Sequence, residues 1–238
     1  MIATSRDISR LTRRSFLTGG LVAAAGFAMW MSIRESLPDD GIPRPLRRAE
    51  EADDVFSHAL FGNTRLARTF DAADIGEARA NGDIGLGDDP EPDWKLTVEG
   101  ANPVSLDQIK ALPKVEEITQ FKCIEGWNFI MKWGGARLSD FAAAHASGMT
   151  EKPWVGLETP DGEYYVGLDR ASAMHPQTLL AYEMNGQPLT NEHGAPLRLL
   201  IPVKYGVKNL KRIGKITFTD VRPRDYWAEN GYDYDSGF

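Results

Sequence analysis

Cys123 is the only cysteine among the 238 residues of this chain, so an internal disulfide cannot stabilise its fold. The chain must instead bury an apolar core, and its length and its 42% of hydrophobic residues suffice for one domain of ordinary size. The cysteine stands in the run Gln-Phe-Lys-Cys-Ile-Glu-Gly-Trp at 120–127, directly after a predicted strand. Its sulfur is therefore either an ordinary small apolar group or the centre of a reactive site.

Residues 1–34 carry the pattern of an export signal. Arg13 and Arg14 precede Phe and Leu, and a run of small and apolar residues extends from Leu21 to Met31. Paired arginines before a mildly apolar segment are typical of a twin-arginine signal, which predicts a periplasmic protein. A basic turn ahead of a buried helix is the alternative. The signal is either cleaved or kept as a membrane anchor, and because this route carries proteins that fold before export, it suggests a bound cofactor.

Charge balance and histidine spacing argue against two kinds of partner. The formal net charge is −7, whereas nucleic-acid binding requires a basic face that neutralises phosphates. His58, His145 and His175 stand alone, without a second histidine or cysteine at the spacing of zinc ligands. We therefore expect no nucleic-acid partner and no zinc site.

Strands and short helices follow one another irregularly in this sequence. A polar, proline-containing linker is predicted at 35–48, within an N-terminal extension at 35–78, and the main domain is expected at 79–222. Because strands and helices do not alternate strictly, the predicted fold class is α+β with mixed, largely antiparallel sheets. The predicted strands are 94–98, 115–121, 154–157, 164–168, 179–183, 197–203 and 215–220, and the predicted helices are 49–61, 105–112 and 138–146.

Positive charges recur in and after an apolar strand near the end of this domain. Arg198 lies inside the run Leu-Arg-Leu-Leu-Ile at 197–201, where a guanidinium needs an anionic partner. Lys204, Lys208 and Lys211 follow in a glycine-containing loop whose backbone amides can also face an anion. We interpret the segment as a cradle for a phosphate group. An edge strand protected by lysines against aggregation is the alternative.

Three motifs together resemble the molybdopterin-binding domain of the sulfite oxidase family over residues 79–222. They are Cys-x-Glu-Gly-Trp at 123–127, His-Gly-x-Pro-x-Arg at 193–198 and Lys-Tyr-Gly-x-Lys-x-x-Lys at 204–211. Within that family the chain is similar to the catalytic subunits of periplasmic protein-methionine-sulfoxide reductases. The resemblance implies a sulfite-oxidase-type fold that holds Mo-molybdopterin, with one molybdenum, one pyranopterin and one protein thiolate on the metal.

The resemblance also implies roles for individual residues. Cys123 is the expected molybdenum ligand, and Trp127 and Tyr205 are expected at the substrate mouth, where plain core packing is the alternative for both. The reductases of the family carry Asn at the position of His193, whereas the sulfite-oxidising members carry His. For Asn81, a turn-forming role in its loop is the alternative. The expected contacts of the pterin and its phosphate are Asn81, Thr159, His193, Arg198, Lys208, Asn209, Leu210 and Lys211.

The residues that follow the cysteine bear on the substrate. Family members that oxidise sulfite place arginines there, whereas this chain has Ile124 and Glu125, and a carboxylate repels a dianion. The expected function is therefore two-electron oxygen-atom transfer, namely reduction of a small S-oxide or similar oxo-compound. A monomeric catalytic subunit would take the electrons from a membrane haem protein or a soluble cytochrome. Sulfite oxidation is the alternative within the family.

Two further classes of protein stay open from the sequence. Cys123 with a distant histidine suits a thiol hydrolase, although only Lys122 stands nearby to activate the thiol. A cofactor-free exported binding module on the same fold is the other class. The aromatic, acidic tail at 223–238 covers the cofactor, docks a partner or frays, and its sequence does not decide among the three.

Overall fold

The computed structural model describes residues 5–39, 42–61, 65–87 and 93–237, which fall into two compact units, up to Asp53 and from Asp54 onward. The first unit contains helix α1 (Ser5–Arg34), strands β1 (Pro38–Asp39) and β2 (Ile42–Pro43), and the start of helix α2 (Arg44–Phe61). Within the predicted linker at 35–48, β1 and β2 pair antiparallel and α2 begins at Arg44.

Helix α1 contains the predicted export signal. Its segment Arg14–Arg34 is long and apolar enough to cross a membrane, with a mean hydropathy of 1.6, and its apolar window is not buried inside the protein. A signal sequence near the N-terminus meets the same criteria, so the helix is compatible with the predicted signal.

The second unit is built mainly of strands joined by short helices and turns. Its strands are β3 (Lys95–Val98), β4 (Val104–Ser105), β5 (Lys114–Lys122), β6 (Asn128–Arg137), β7 (Trp154–Glu158), β8 (Tyr165–Asp169), β9 (Leu179–Met184), β10 (Gln187–Pro188), β11 (Arg198–Leu200) and β12 (Lys215–Thr219). Its helices are α3 (Leu106–Lys110), α4 (Leu138–His145), α5 (Arg170–Ala173) and α6 (Tyr226–Glu229).

The strands form two five-stranded sheets, here called sheet I and sheet II. Sheet I has the order β10-β9-β6-β5, with β11 also pairing with β9, and all of its pairs are antiparallel. Sheet II has the order β4-β3-β12-β7-β8 and contains one parallel pair, between β3 and β12. The predicted α+β class with mixed, largely antiparallel sheets is confirmed.

Strand β9 is buried from Leu179 to Tyr182 because both faces of sheet I are covered there. Leu179 and Ala181 pack with residues of β6 in one buried cluster. The alternate residues Leu180 and Tyr182 point the other way and join a larger cluster that also contains residues of β3, β7, β8 and β12. That larger cluster joins the two sheets into one core.

The β-bulge where β6 pairs with β9 requires glycine on the β6 side. The register between β6 and β9 shifts at Gly135, where a Cβ would lie 2.3 Å from the Leu180 carbonyl oxygen and 2.8 Å from the Ala181 Cα. Because these are backbone atoms that cannot rotate away, we expect Gly135→Ala to lower the free energy of unfolding by about 3 kcal/mol, measured by urea denaturation. Gly148→Ala is the control, since a Cβ there meets nothing within 4 Å; equal effects of the two substitutions would contradict the argument.

Most of the predicted strands are present, but one was predicted too long and another was missed. The predicted strand 197–203 ends at Leu200, because the Ile201 N–H donates to the Asn209 side chain (2.8 Å) and leaves the ladder. Strand β6 was not predicted, because Gly134 and Gly135 interrupt its alternating pattern.

Candidate active site

The thiol of Cys123 is held in a tight turn at one end of sheet I. The turn joins β5 to β6, with the Cys123 N–H donating to the Trp127 carbonyl (2.9 Å) and the Gly126 N–H donating to the Cys123 carbonyl (3.1 Å). Gly126 has a φ of 89°, which favours glycine. The sulfur is therefore carried by a hydrogen-bonded hairpin and is only partly buried.

Aromatic rings and one carboxylate surround this turn. Phe121, Trp127 and Phe129 form a stack whose ring centroids lie 5.0 to 6.1 Å apart. The Glu125 carboxylate accepts hydrogen bonds from Trp127 Nε1 (2.7 Å) and from Asn81 Nδ2 (3.3 Å). These contacts fix the Trp127 ring and connect the turn to the segment at 65–87.

Arg198 places a buried positive charge next to neutral partners. It is 2% exposed, and its Nη1 and Nη2 donate to the carbonyls of His193 (3.0 Å) and Asn209 (3.2 Å). Within the described residues no carboxylate lies within ion-pair distance of it. Burial lowers its pKa to about 10, so the guanidinium remains cationic at neutral pH. A buried cation with neutral partners is costly and favours an anionic ligand.

A lysine and a histidine extend this cationic group. Lys211 Nζ donates to the carbonyls of Asn81 (3.0 Å) and Gly82 (2.9 Å). Burial first, and then the Arg198 charge, lowers the pKa of Lys211 to about 8. The same two causes lower the pKa of His193, which is therefore neutral at pH 7. An anion bound here would offset the repulsion between the positive charges of Arg198 and Lys211.

The thiol and the cationic group share one open cavity of about 190 Å³. It brings together most of the predicted site residues, although they lie far apart in the sequence. The lining contains Arg79, Asn81, Gly82, Ile84, Phe121, Cys123, Ile124, Glu125, Trp127, Phe129, Tyr164, His193, Arg198, Gly206, Val207, Asn209, Lys211, Trp227 and Tyr232.

Residues 83–227 match the family described as the oxidoreductase molybdopterin binding domain, which is more than half of the chain. The chain belongs to this family. The resemblance to the sulfite oxidase family that its motifs indicated is thereby confirmed, and so is its class as a molybdopterin-binding oxidoreductase.

Relatives of the molybdopterin-binding domain are reductase subunits. MsrP of Ralstonia nicotianae, named a protein-methionine-sulfoxide reductase catalytic subunit, is 34% identical over an alignment of 168 positions that covers 61% of this chain and 50% of the relative. YedZ1 of Azospira oryzae is 38% identical over 133 residues, 56% of this chain and 50% of the relative. The chain thus spans about half the length of these relatives. The sulfane dehydrogenase SoxCD from Paracoccus pantotrophus matches in structure with a TM-score of 0.49 and 18% identity, over 67% of this chain and 46% of that chain.

The lining of the cavity fits molybdopterin in two respects. Arg198 is a buried cation without a described carboxylate partner, which suits the phosphate of the cofactor. Cys123 offers a sulfur ligand, which is soft and suits the molybdenum of the cofactor. No cluster of three or more His, Cys, Asp or Glu that could hold a metal occurs in the part of the chain that the structure describes, so the remaining metal ligands would have to come from the cofactor.

Other predicted site residues of the molybdopterin-binding domain lie outside the lining. Thr159 is buried and accepts a hydrogen bond from the Tyr164 N–H (3.1 Å), and Leu210 belongs to the larger core cluster. The Tyr205 carbonyl accepts from Asn209 Nδ2 (3.1 Å), which shapes the loop. The structure does not bring these three side chains into the cavity, and their roles at the cofactor stay predictions.

Lys208 also points away from the cavity, because it is tied to the C-terminal tail. It forms a buried ion pair with Asp225, the side chains being 1% and 3% exposed. Lys204 pairs in the same way with Asp235. The tail at 223–237 is thus packed on the loop at 204–209. Lys208 lies outside the lining of the cavity, and its phosphate contact stays a prediction.

Removing one member of the buried pair is expected to destabilise the domain. Asp225→Ala leaves the Lys208 ammonium buried without its counter-charge, so we expect a loss of about 3 to 5 kcal/mol in the free energy of unfolding by urea denaturation. Asp220 is the matched control, because it pairs with Lys152 on the surface, with exposures of 68% and 38%. Asp220→Ala is expected to cost less than about 1 kcal/mol. Similar losses in the two variants would contradict the prediction.

Sequence reasoning did not assign several lining residues to the site. The Arg79 guanidinium lies 4.7 Å from the centroid of Trp127, and the Tyr164 hydroxyl donates to the Val207 carbonyl (2.6 Å). Burial, followed by the Asp225 charge, raises the pKa of Tyr164, so its hydroxyl remains protonated. For Trp227 and Tyr232, the lining residues of the tail, the only sequence signal was the aromatic composition of the tail.

Proposed function

We propose that this chain is an exported molybdenum-molybdopterin oxidoreductase that reduces an S-oxide. The sulfur–oxygen bond breaks, two electrons and two protons are consumed, and the products are the thioether and water. A separate haem protein, either a membrane protein or a soluble cytochrome, supplies the electrons. When bound, the molybdenum cofactor supplies the two-electron oxygen-atom chemistry.

The observation that carries this proposal is that Cys123 and Arg198 line the same cavity. Cys123 would ligate the metal, while Arg198 and Lys211 would hold the phosphate, each charge-assisted hydrogen bond contributing about 1.5 to 3 kcal/mol. Asn209 orients the guanidinium through its carbonyl. These residues bind and orient the cofactor, and the aromatic stack beside Cys123 limits the access of water.

Reduction of a neutral oxo-compound is favoured over sulfite oxidation by the charge near the thiol. Glu125 lies two residues after Cys123, lines the cavity with it, and faces a dianionic substrate with a like charge. The names of the relatives, which specify protein-methionine-sulfoxide reductase, support an S-oxide as substrate. Helix α1 with its paired arginines supports export to the periplasm, with or without retention as an anchor.

The decisive experiment uses the full chain matured in a host that makes molybdopterin. We expect one molybdenum per chain, reduction of methyl phenyl sulfoxide with a reduced dye, and little oxidation of sulfite. Brisk sulfite oxidation without sulfoxide reduction would reverse the direction of the reaction. A metal-free chain that reacts stoichiometrically with a thiol-directed acyl probe would select the hydrolase, and a metal-free, unreactive chain would select the binding module.

A further inference from the structure

Trp227 and Tyr232 are lining residues that neither the phosphate nor the metal of the cofactor explains. Both belong to the tail, and both line the cavity that contains Cys123 and Arg198. Neither side chain carries a charge that would hold a phosphate or a sulfur that would bind a metal. Tyr232 also lies beyond residues 83–227, which match the family.

The two rings form a fixed unit. The Tyr232 N–H donates to the Trp227 carbonyl (2.9 Å), and the rings meet edge to face with centroids 5.0 Å apart. Helix α6, which carries Trp227, is held at its start by Asp225, whose carboxylate caps the Ala228 N–H (3.1 Å) and pairs with Lys208. The pair is therefore an ordered wall of the cavity.

Exposed apolar groups surround the same cavity. Tyr232 is 42% exposed, and Ile84 and Ile124, which also line the cavity, are 37% exposed each. Apolar side chains gathered around an opening mark a surface that binds an apolar group. Aromatic rings in addition make favourable contacts with thioether sulfur.

We propose that Trp227 and Tyr232 determine substrate specificity by receiving the apolar group attached to the sulfur of the S-oxide. The proposal rests on the proposed function and deepens it. The wall favours S-oxides with a large apolar substituent over those with two small ones, because a large substituent offers more apolar surface to the two rings.

The test compares Tyr232→Ser with the parent holoenzyme on methyl phenyl sulfoxide and dimethyl sulfoxide. We expect kcat/KM for methyl phenyl sulfoxide, divided by kcat/KM for dimethyl sulfoxide, to fall by about tenfold. The cause is a higher KM for the aryl compound, and the molybdenum content should be unchanged. Trp227→Leu is expected to shift the ratio in the same direction. Calorimetric affinity for methyl phenyl sulfone, a non-reducible analogue, should fall by a similar factor.

Val221→Ser is the control, because Val221 lies just before the tail, is 74% exposed and is outside the lining. It should leave both the ratio and the sulfone affinity at parent values. A ratio and a sulfone affinity within twofold of the parent in both tail variants would overturn the proposal. A parent that reduces neither sulfoxide would contradict the proposed function, and the sulfone affinity would then still test the wall by itself.

Discussion

Replacing Cys123 by serine is expected to lower kcat for S-oxide reduction by more than the roughly 10- to 100-fold typical of changes around metal ligands. The hydroxyl of serine is a harder, far less acidic group than a thiol, so the proposed protein ligand of the metal would be lost. The measurements are kcat with a reduced dye, molybdenum per chain, and the electron paramagnetic resonance spectrum of the Mo(V) state.

The fold should survive this substitution, because the turn at Cys123 is held by backbone hydrogen bonds rather than by the sulfur. Urea denaturation of the cofactor-free variant should therefore match the parent to within about 1 kcal/mol. An unchanged spectrum together with parent-like activity would show that the thiol is an ordinary packing group.

Replacing Arg198 by methionine is expected to affect cofactor retention and stability differently. Molybdenum per chain should fall at least about tenfold, because the buried cation that pairs with the phosphate is removed. Stability of the cofactor-free protein should change by less than about 2 kcal/mol, since relief from burying a charge offsets the loss of its hydrogen bonds to two carbonyls.

Arg170→Met is the control for this second prediction. Arg170 pairs with Glu151 on the surface, the side chains being 45% and 85% exposed, and it lies outside the cavity. It should retain the cofactor like the parent. Full molybdenum occupancy in Arg198→Met would remove the main argument for a phosphate at this position.

The sequence predicted Cys123 and Arg198 as parts of the candidate site because each is unusual in its local sequence. A lone cysteine followed by Glu, Gly and Trp is unusual, and Arg198 interrupts an apolar strand. The structure places both in one cavity. The α+β class followed from the order of strands and helices, and the predicted helix at 105–112 is present as α3, which Ser105 caps by accepting from the Gln108 N–H (3.3 Å).

The remaining features depend on contacts between residues distant in sequence. Lys208 resembled the other cations of its loop, and only the fold shows that Asp225 neutralises it. Arg79 and Tyr164 have no local pattern that distinguishes them from other exposed or core residues. Strand β6 was missed because Gly134 and Gly135 accommodate the bulge in its pairing with β9, a contact that a local pattern does not contain.

The lining of the cavity comes from four separate stretches of chain, at 79–84, 121–129, 193–211 and 227–232, together with Tyr164. No local fragment can therefore assemble the binding surface by itself, and a prosthetic group held by residues of the first three stretches reports on the folding of the whole domain. We expect its release to coincide with global unfolding as a single cooperative event, and tight binding to lengthen the lifetime of the native state accordingly.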